Sequence, residues 1–313
     1  MSSGLLREWL ASGLLDLPLP GDGETAVRFR RLADLAETDV VAGRLAEAHA
    51  DAVAILAELG GPDTRADQLW GVWAAESRDA VVSARAAASR ATLDGTKPWC
   101  SGATLCTHAL VTARLDSGER GLFAVDLKQP GVHPLPSTWR NVGMSESDTR
   151  TAQFTSAEAV AAGHPGEYLS RPGFWHGAAG VSACWLGGAR AVASPLYARA
   201  AEENVDAHTL AHLGVVDAAL AAGQATLMHA AADIDADPAN RKGAAELVAR
   251  RTRAVIESAV DEAIGRTARA LGPAPLCQDA RHAQRVADLT IYVRQSHAER
   301  DLERLGRLAG ADQ

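Results

Sequence analysis

The sequence predicts an α+β chain with helices at both ends and strands in the middle. Three observations carry that expectation. Apolar residues recur at helical spacing over 27–35 and 40–59, and again through most of the chain beyond residue 174. Between these sections, residues 68–155 break into short apolar runs divided by turn residues. A Gly/Pro-rich stretch, 163–173, then separates strands from the second helical section. The expected division is a short helical domain over 1–67, a β domain over 68–162 and a helical bundle over 163–313.

The first helices end at Gly60-Gly61-Pro62, a strong stop signal. Strands are expected at 70–75, 80–87, 91–93, 99–101, 108–115, 121–126 and 153–155, which together read as a compact antiparallel β domain. Asp116-Ser117-Gly118 fits a hairpin loop, and Asp94-Gly95 is a strong turn dipeptide because its turn needs positive φ at both central positions. Four long helical segments follow, at about 174–203, 205–233, 241–271 and 279–309, with breaks at Asp235–Pro238 and Gly272–Pro275. Short connections between four such segments predict an antiparallel four-helix bundle.

Composition narrows the function. The chain has 313 residues, a net charge of −8 and no basic run interleaved with aromatics, which argues against nucleic acid as the main partner. No window approaches eighteen unbroken apolar residues, so no membrane span is expected, and the absence of a cleavage-type leader points to the cytoplasm. The four cysteines form no CxxC pair and read as buried thiols.

The stretch Asp94–Ala103, DGTKPWCSGA, carries the most chemistry. On a strand, Trp99 and Ser101 at i and i+2 share one face, setting an aromatic plane beside a hydroxyl. That pair suits a flat hydrogen-bonding ligand such as a flavin, and it equally describes a buried tryptophan beside a surface serine. His297 is a candidate proton-transfer group, since an imidazole titrates near neutrality. On a continuous helix Asp301 lies four residues on and would orient it; Glu299 is the second candidate base, and Arg294 could bind a charged group. His208 and His212 have metal-chelating spacing but no companion glutamate, so an exposed helix face is the expectation. Arg285 and Asp288, three apart, read as a structural ion pair.

Taken together, these segments resemble the acyl-CoA dehydrogenase superfamily. The matching stretches are 91–103, similar to the family's "LDGxKxWxS/TxA"; the strands 109–113 and 121–126; Gly143-Met144 with Ser147-Asp148-Thr149 and Phe154; and 272–277 with 285–292. The resemblance implies FAD between a β-barrel domain and a bundle, with Trp99 and Ser101 at the isoalloxazine. It also implies Gly272 in a loop near the dinucleotide and a homodimer or homotetramer. The substrate implied is a small molecule such as an acyl-CoA, with an electron-transfer flavoprotein as one acceptor.

The sequence departs from the family at three places. The N-terminal helical part is about half the usual length, and the "TEPxAGSD" stretch appears as Ala75-Glu76-Ser77-Arg78-Asp79 without its glycines. The glutamate of the family's "IYEGT"-like turn falls near Gln295-Ser296, and neither residue is a base. The main reading is proton and hydride removal from an acyl thioester. The alternatives are flavin-dependent monooxygenation on the same fold and a non-catalytic scaffold.

Overall fold

The computed structural model describes residues 2–77, 81–87 and 90–311. Arg78 and Asp79 of the Ala75–Asp79 stretch, and Ala80, where the sequence predicts a strand to begin, lie outside the described residues. The chain gathers into two compact units. One comprises Met1–Leu17, Leu45–Arg140 and Ser145–Phe174; the other comprises Pro18–Arg44, Asn141–Met144 and Trp175–Gln313. This grouping cuts the chain at other places than 67/68 and 162/163.

The first unit is built on a barrel of β1 (Trp70–Trp73), β2 (Val82–Ala87), β3 (Arg90–Cys100), β4 (His108–Leu115), β5 (Arg120–Asp126), β6 (Val132–Pro134) and β7 (Arg150–Ala161). Strands β4, β2, β3, β7 and β5 close on one another, which leaves the central strands no open edge. β1 extends one edge of β4, and β6 extends one edge of β7. The barrel is antiparallel in most pairings, but β4 runs parallel to both β1 and β2.

Side-chain alternation gives each strand an inner and an outer face. Trp73, Val82, Leu93, Val111, Phe123 and Phe154 fill the inner core. Their neighbours Trp70, Leu110 and Leu122 point the other way and pack on Ala52, Ile55 and Leu56 of a helix. That helix is α3 (Val40–Leu59); α1 (Ser2–Ala11) and α2 (Thr25–Thr38) precede it.

One expected turn is absent. β3 runs straight through Asp94-Gly95, where its register with β7 slips between Leu93 and Gly95. Gly95 has φ +123°, and a Cβ there would stand 2.1 Å from the Val81 carbonyl oxygen. Asp94 secures the bulge by accepting the Ser156 N–H at 2.7 Å and pairing with Arg85 at 2.7 Å. A bulge and a hairpin turn both need positive φ, and here the bulge wins.

Past the short α4 (Glu167–Ser170), the long helices are α5 (Gly173–Ala200), α6 (Ala207–Ala236) and α7 (Ala245–Leu271). After α8 (Ala274–Gln278), the fourth expected segment is split into α9 (Ala280–Tyr292), a 3-10 turn at Val293–Gln295 and α10 (Glu299–Ala311). In the second unit α5 lies tight on α2, because Gly187 has no side chain to meet the Ala33 backbone. Trp185 of α5 is fully buried, covered by the Arg253 guanidinium at 4.4 Å and met edge-on by Tyr292. Asp206 caps α6 through the N–H groups of His208 and Thr209, which hold its carboxyl down at about 2 with the Thr209 hydroxyl. By length and composition, α6 is the one helix among the described residues apolar enough to cross a membrane, although it carries Asp217 and Gln224.

Candidate functional site

Trp99 occupies a second irregularity of β3. The β3–β7 register slips again between Lys97 and Cys100, and Trp99 sits there at φ +60°. A bulky residue in the left-handed region costs about 1–3 kcal/mol and persists only where its surroundings enforce it. They do so here. Cys100 is buried and in register with Arg150, and the Trp73 indole N–H donates to the Ser101 carbonyl at 3.0 Å. The strained indole is not buried: Trp99 is 64% exposed, with its ring edge-to-face with Trp139 at 6.3 Å. The expected flat strand with Trp99 and Ser101 on one face is therefore replaced by a bulge and a turn, since β3 ends at Cys100.

The turn that Ser101 opens is locked to the segment before β7. Gly102 N–H donates to Ser147 O at 2.8 Å and Ala103 N–H to Asp148 O at 3.1 Å. Asp148, itself at φ +48°, accepts from both the N–H and the hydroxyl of Thr104 and pairs with Arg150. Three hydroxyls line up beside these bonds. Ser101 Oγ lies 2.9 Å from Thr149 Oγ1, which lies 2.7 Å from Ser147 Oγ. Sequence reasoning placed Ser147 and Thr149 in a motif but not in a site, and it missed Trp139. Strand periodicity gives no signal for either, because the partners stand 40 or more residues apart.

A buried lysine lies next to this corner. Lys97 is 4% exposed, and its Nζ donates to Thr112 Oγ1 at 3.0 Å and the Ala75 carbonyl at 3.3 Å. Burial pulls its pKa below the ordinary lysine value, against the partial support of Glu76.

The residues at 294–301 belong to the second unit. His297 lies in the break before α10, flanked by Ala298 at φ +45°, and its side chain is 67% exposed. Asp301 accepts the backbone N–H of His297 at 3.1 Å and stands 3.7 Å from the ring nitrogen. Its other oxygen accepts from Arg250 at 2.9 Å. Partial burial pushes the Asp301 carboxyl up, but these two donors outweigh it and leave it below the ordinary value. The pair therefore arises from capping a new helix, not from i, i+4 spacing along one. Glu299 is exposed in the first turn of α10.

Arg294 faces α7, bonded to Asp261 at 3.1 Å and near Glu257 at 3.5 Å. Gly272 is the C-cap of α7 at φ +67°, with its N–H on the Ala268 carbonyl. Asp288 accepts the Met144 N–H at 2.6 Å, and Gly143 approaches the Ala287 carbonyl where no side chain would fit. A cavity of about 150 Å³ lies between the start of α5, the end of α6 and the start of α7. Trp175, His176, Asp233, Ile234 and Val248 are in its wall, and Arg250 covers the Trp175 ring at 5.0 Å. Among the described residues no three His, Cys, Asp or Glu side chains are grouped to hold a metal.

Residues 74–157 match the family described as "Acyl-CoA dehydrogenase, middle domain". Solved structures share the fold of nearly the whole chain. The FMN-bound dibenzothiophene monooxygenase TdsC of Paenibacillus sp. A11-2 superposes with a TM-score of 0.84 at 17% identity, covering 97% of this chain and 89% of that one. The protein has the acyl-CoA dehydrogenase-like fold. Methanesulfinate monooxygenase MsuC of Pseudomonas fluorescens gives 0.81 at 17% identity over 98% and 89% of the two chains. KijD3, solved with FMN and a dTDP-amino-keto-sugar, gives 0.75 at 19% identity over 99% and 94%. No curated protein sequence matches the chain.

The expected fold, with a central barrel between helical ends, is thus the one observed. Within this acyl-CoA dehydrogenase-like barrel the residues at Trp99 and Ser101 fit a flavin ring. An exposed indole offers an apolar face. Three hydroxyls joined by two hydrogen bonds leave one O–H unspent, which is a donor for a ring heteroatom.

Proposed function

We propose that the protein is a flavin-dependent monooxygenase acting on a small organic molecule, in place of the acyl-CoA dehydrogenation that the sequence first suggests. The observation that carries this reading is the state of the carboxylates where a dehydrogenase keeps its base. Gln295 and Ser296 are not bases, Asp301 is spent on Arg250 and the His297 N–H, and Glu299 is exposed to water. Removing a proton from carbon calls for a desolvated, uncommitted carboxylate, whereas Glu299 is exposed and Asp301 is held by two donors. TdsC and MsuC, both monooxygenases by name, support the reading through their shared fold.

Bound flavin supplies two-electron chemistry and, when reduced, the activation of dioxygen. Trp99 would pack against the ring and Ser101 would donate to it, and the exposed imidazole of His297 is the candidate for moving the proton that oxygen transfer requires. FMN is the first cofactor to test, since TdsC and KijD3 were solved with it; FAD is the second.

The test is direct. Purified protein is titrated with FMN and with FAD, and oxygen uptake is then followed with chemically reduced flavin and a panel of small sulfur and nitrogen compounds. Saturable flavin binding with substrate-dependent oxygen uptake is the expected result. Anaerobic bleaching of the bound flavin by acyl-CoAs would return the protein to the dehydrogenases. Failure to bind either flavin would leave the scaffold reading.

A further inference from the structure

We infer that Thr149 and Ser147 are positioning residues that aim the Ser101 hydroxyl proton outward, at the flavin; this rests on the flavin site proposed above. The inference comes from counting protons. Ser147 is 1% exposed, and Thr149 Oγ1 at 2.7 Å is the hydrogen-bond partner of its hydroxyl. A buried hydroxyl proton left unspent is costly, so Ser147 donates to Thr149. Thr149 then has one proton of its own and one acceptor in reach, Ser101 Oγ at 2.9 Å. Spending it there leaves the Ser101 proton as the free one.

The other two arrangements are worse. If Ser101 donates to Thr149 and Thr149 to Ser147, the unspent proton is the buried one on Ser147. If both serines donate to Thr149, its own proton goes unused although Ser101 Oγ stands at bonding distance. The polarity of the row is therefore set from its buried end, and it leaves the Ser101 proton available to be donated outward.

The hydroxyl row is not needed to hold the two segments together. Ser147 and Asp148 carbonyls already take the N–H groups of Gly102 and Ala103, and Asp148 clamps Thr104. Trp73 fixes the Ser101 carbonyl from the other side. Backbone bonds thus set the position of Ser101, and the hydroxyl row sets the direction of its proton. Without Thr149 the Ser101 hydroxyl is free to rotate and to meet a ring heteroatom with either its proton or its lone pairs.

The experiment compares Thr149→Val, Ser147→Ala, Thr149→Ser and Ser101→Ala with the parent chain. FMN affinity is read by fluorescence titration, and the visible absorption bands of the bound flavin report its hydrogen bonding. Thr149→Val should weaken FMN binding about fivefold, the loss of one ordered hydrogen bond, and shift the visible bands in the same direction as Ser101→Ala. Thr149→Ser should restore both, and Ser147→Ala should show the same spectral shift. A Thr149→Val protein with parental affinity and spectrum, alongside a Ser101→Ala protein that has lost both, overturns the relay and leaves the flavin site standing. Parent protein that binds no flavin overturns both. Should Thr149→Val not fold, Ser147→Ala and Thr149→Ser decide by the same readouts.

Discussion

Asp301 takes the backbone N–H of His297 with one carboxylate oxygen and the Arg250 guanidinium with the other, at 3.1 and 2.9 Å. This geometry separates the two residues functionally. Asp301 starts α10 and ties it to α7, while His297 stands in solvent.

Asp301→Ala should therefore cost about 1–2 kcal/mol of stability, as the loss of a helix cap does. His297→Ala should leave stability within about 0.5 kcal/mol and lower oxygenation about a hundredfold. The Asp301 contribution has a defined pH dependence. Its folded pKa lies below the ordinary value, so the stabilisation is complete above about pH 4 and is lost as pH falls through the folded pKa. Urea unfolding at pH 7 with steady-state rates checks the split. A His297→Ala protein with unchanged turnover would remove the imidazole from the mechanism.

Two helical glycines should respond to alanine with opposite signs. A Cβ at Gly187 would lie 1.9 Å from the Ala33 carbonyl oxygen, so α5 and α2 must separate; Gly187→Ala should cost about 1–3 kcal/mol or more. Gly265, exposed in α7, has nothing within 4 Å of the same position, and Gly265→Ala should stabilise by about 0.5–1 kcal/mol. Thermal melts of the two variants, measured side by side, give the sign.

These details mark the limit of what the sequence shows. The order of helices, strands and helices was legible because periodicity survives averaging over long segments. Asp94-Gly95 misled because a turn and a bulge ask the same thing of glycine, and only the nearby Val81 carbonyl and Ser156 N–H decide between them. The break at 296–298 has no glycine or proline to announce it. Its one signal, Ser296 followed three residues on by Glu299, is a helix-start signature that apolar periodicity overran. The parallel pairings of β4 and the three-hydroxyl row depend on contacts between distant segments, which no local pattern encodes.

His108 should make the barrel acid-sensitive. Gln68 spends its side-chain oxygen on the Arg65 N–H and the Trp70 indole, so its amide nitrogen faces His108 Nε2 at 3.3 Å. The imidazole is thereby held neutral, with Nδ1 toward Thr107 Oγ1 at 2.9 Å. Burial lowers its pKa, and protonation would set the Gln68 N–H against a ring N–H. With the folded pKa below the unfolded one, the stabilisation is fully present above about pH 6.5 and is lost as pH falls through the folded value. Denaturant midpoints should fall from pH 7.5 to pH 5, and His108→Gln should flatten that slope. An unchanged slope in the variant would assign the acid sensitivity to other groups.

Trp99 offers the sharpest trade. Its left-handed backbone costs about 1–3 kcal/mol, while its edge contact with Trp139 returns about 0.5–1.5 kcal/mol. Asparagine tolerates positive φ where tryptophan does not. Trp99→Asn should therefore raise the stability of the flavin-free protein by about 1 kcal/mol while weakening FMN binding through loss of the exposed ring face. Trp99→Phe keeps the strain and part of the face, so it should retain parental stability and bind FMN between the two. Urea unfolding without flavin and fluorescence titration with FMN measure the two quantities separately. A Trp99→Asn protein that loses stability and binds FMN as tightly as the parent would make Trp99 a structural anchor, with no part in holding the cofactor.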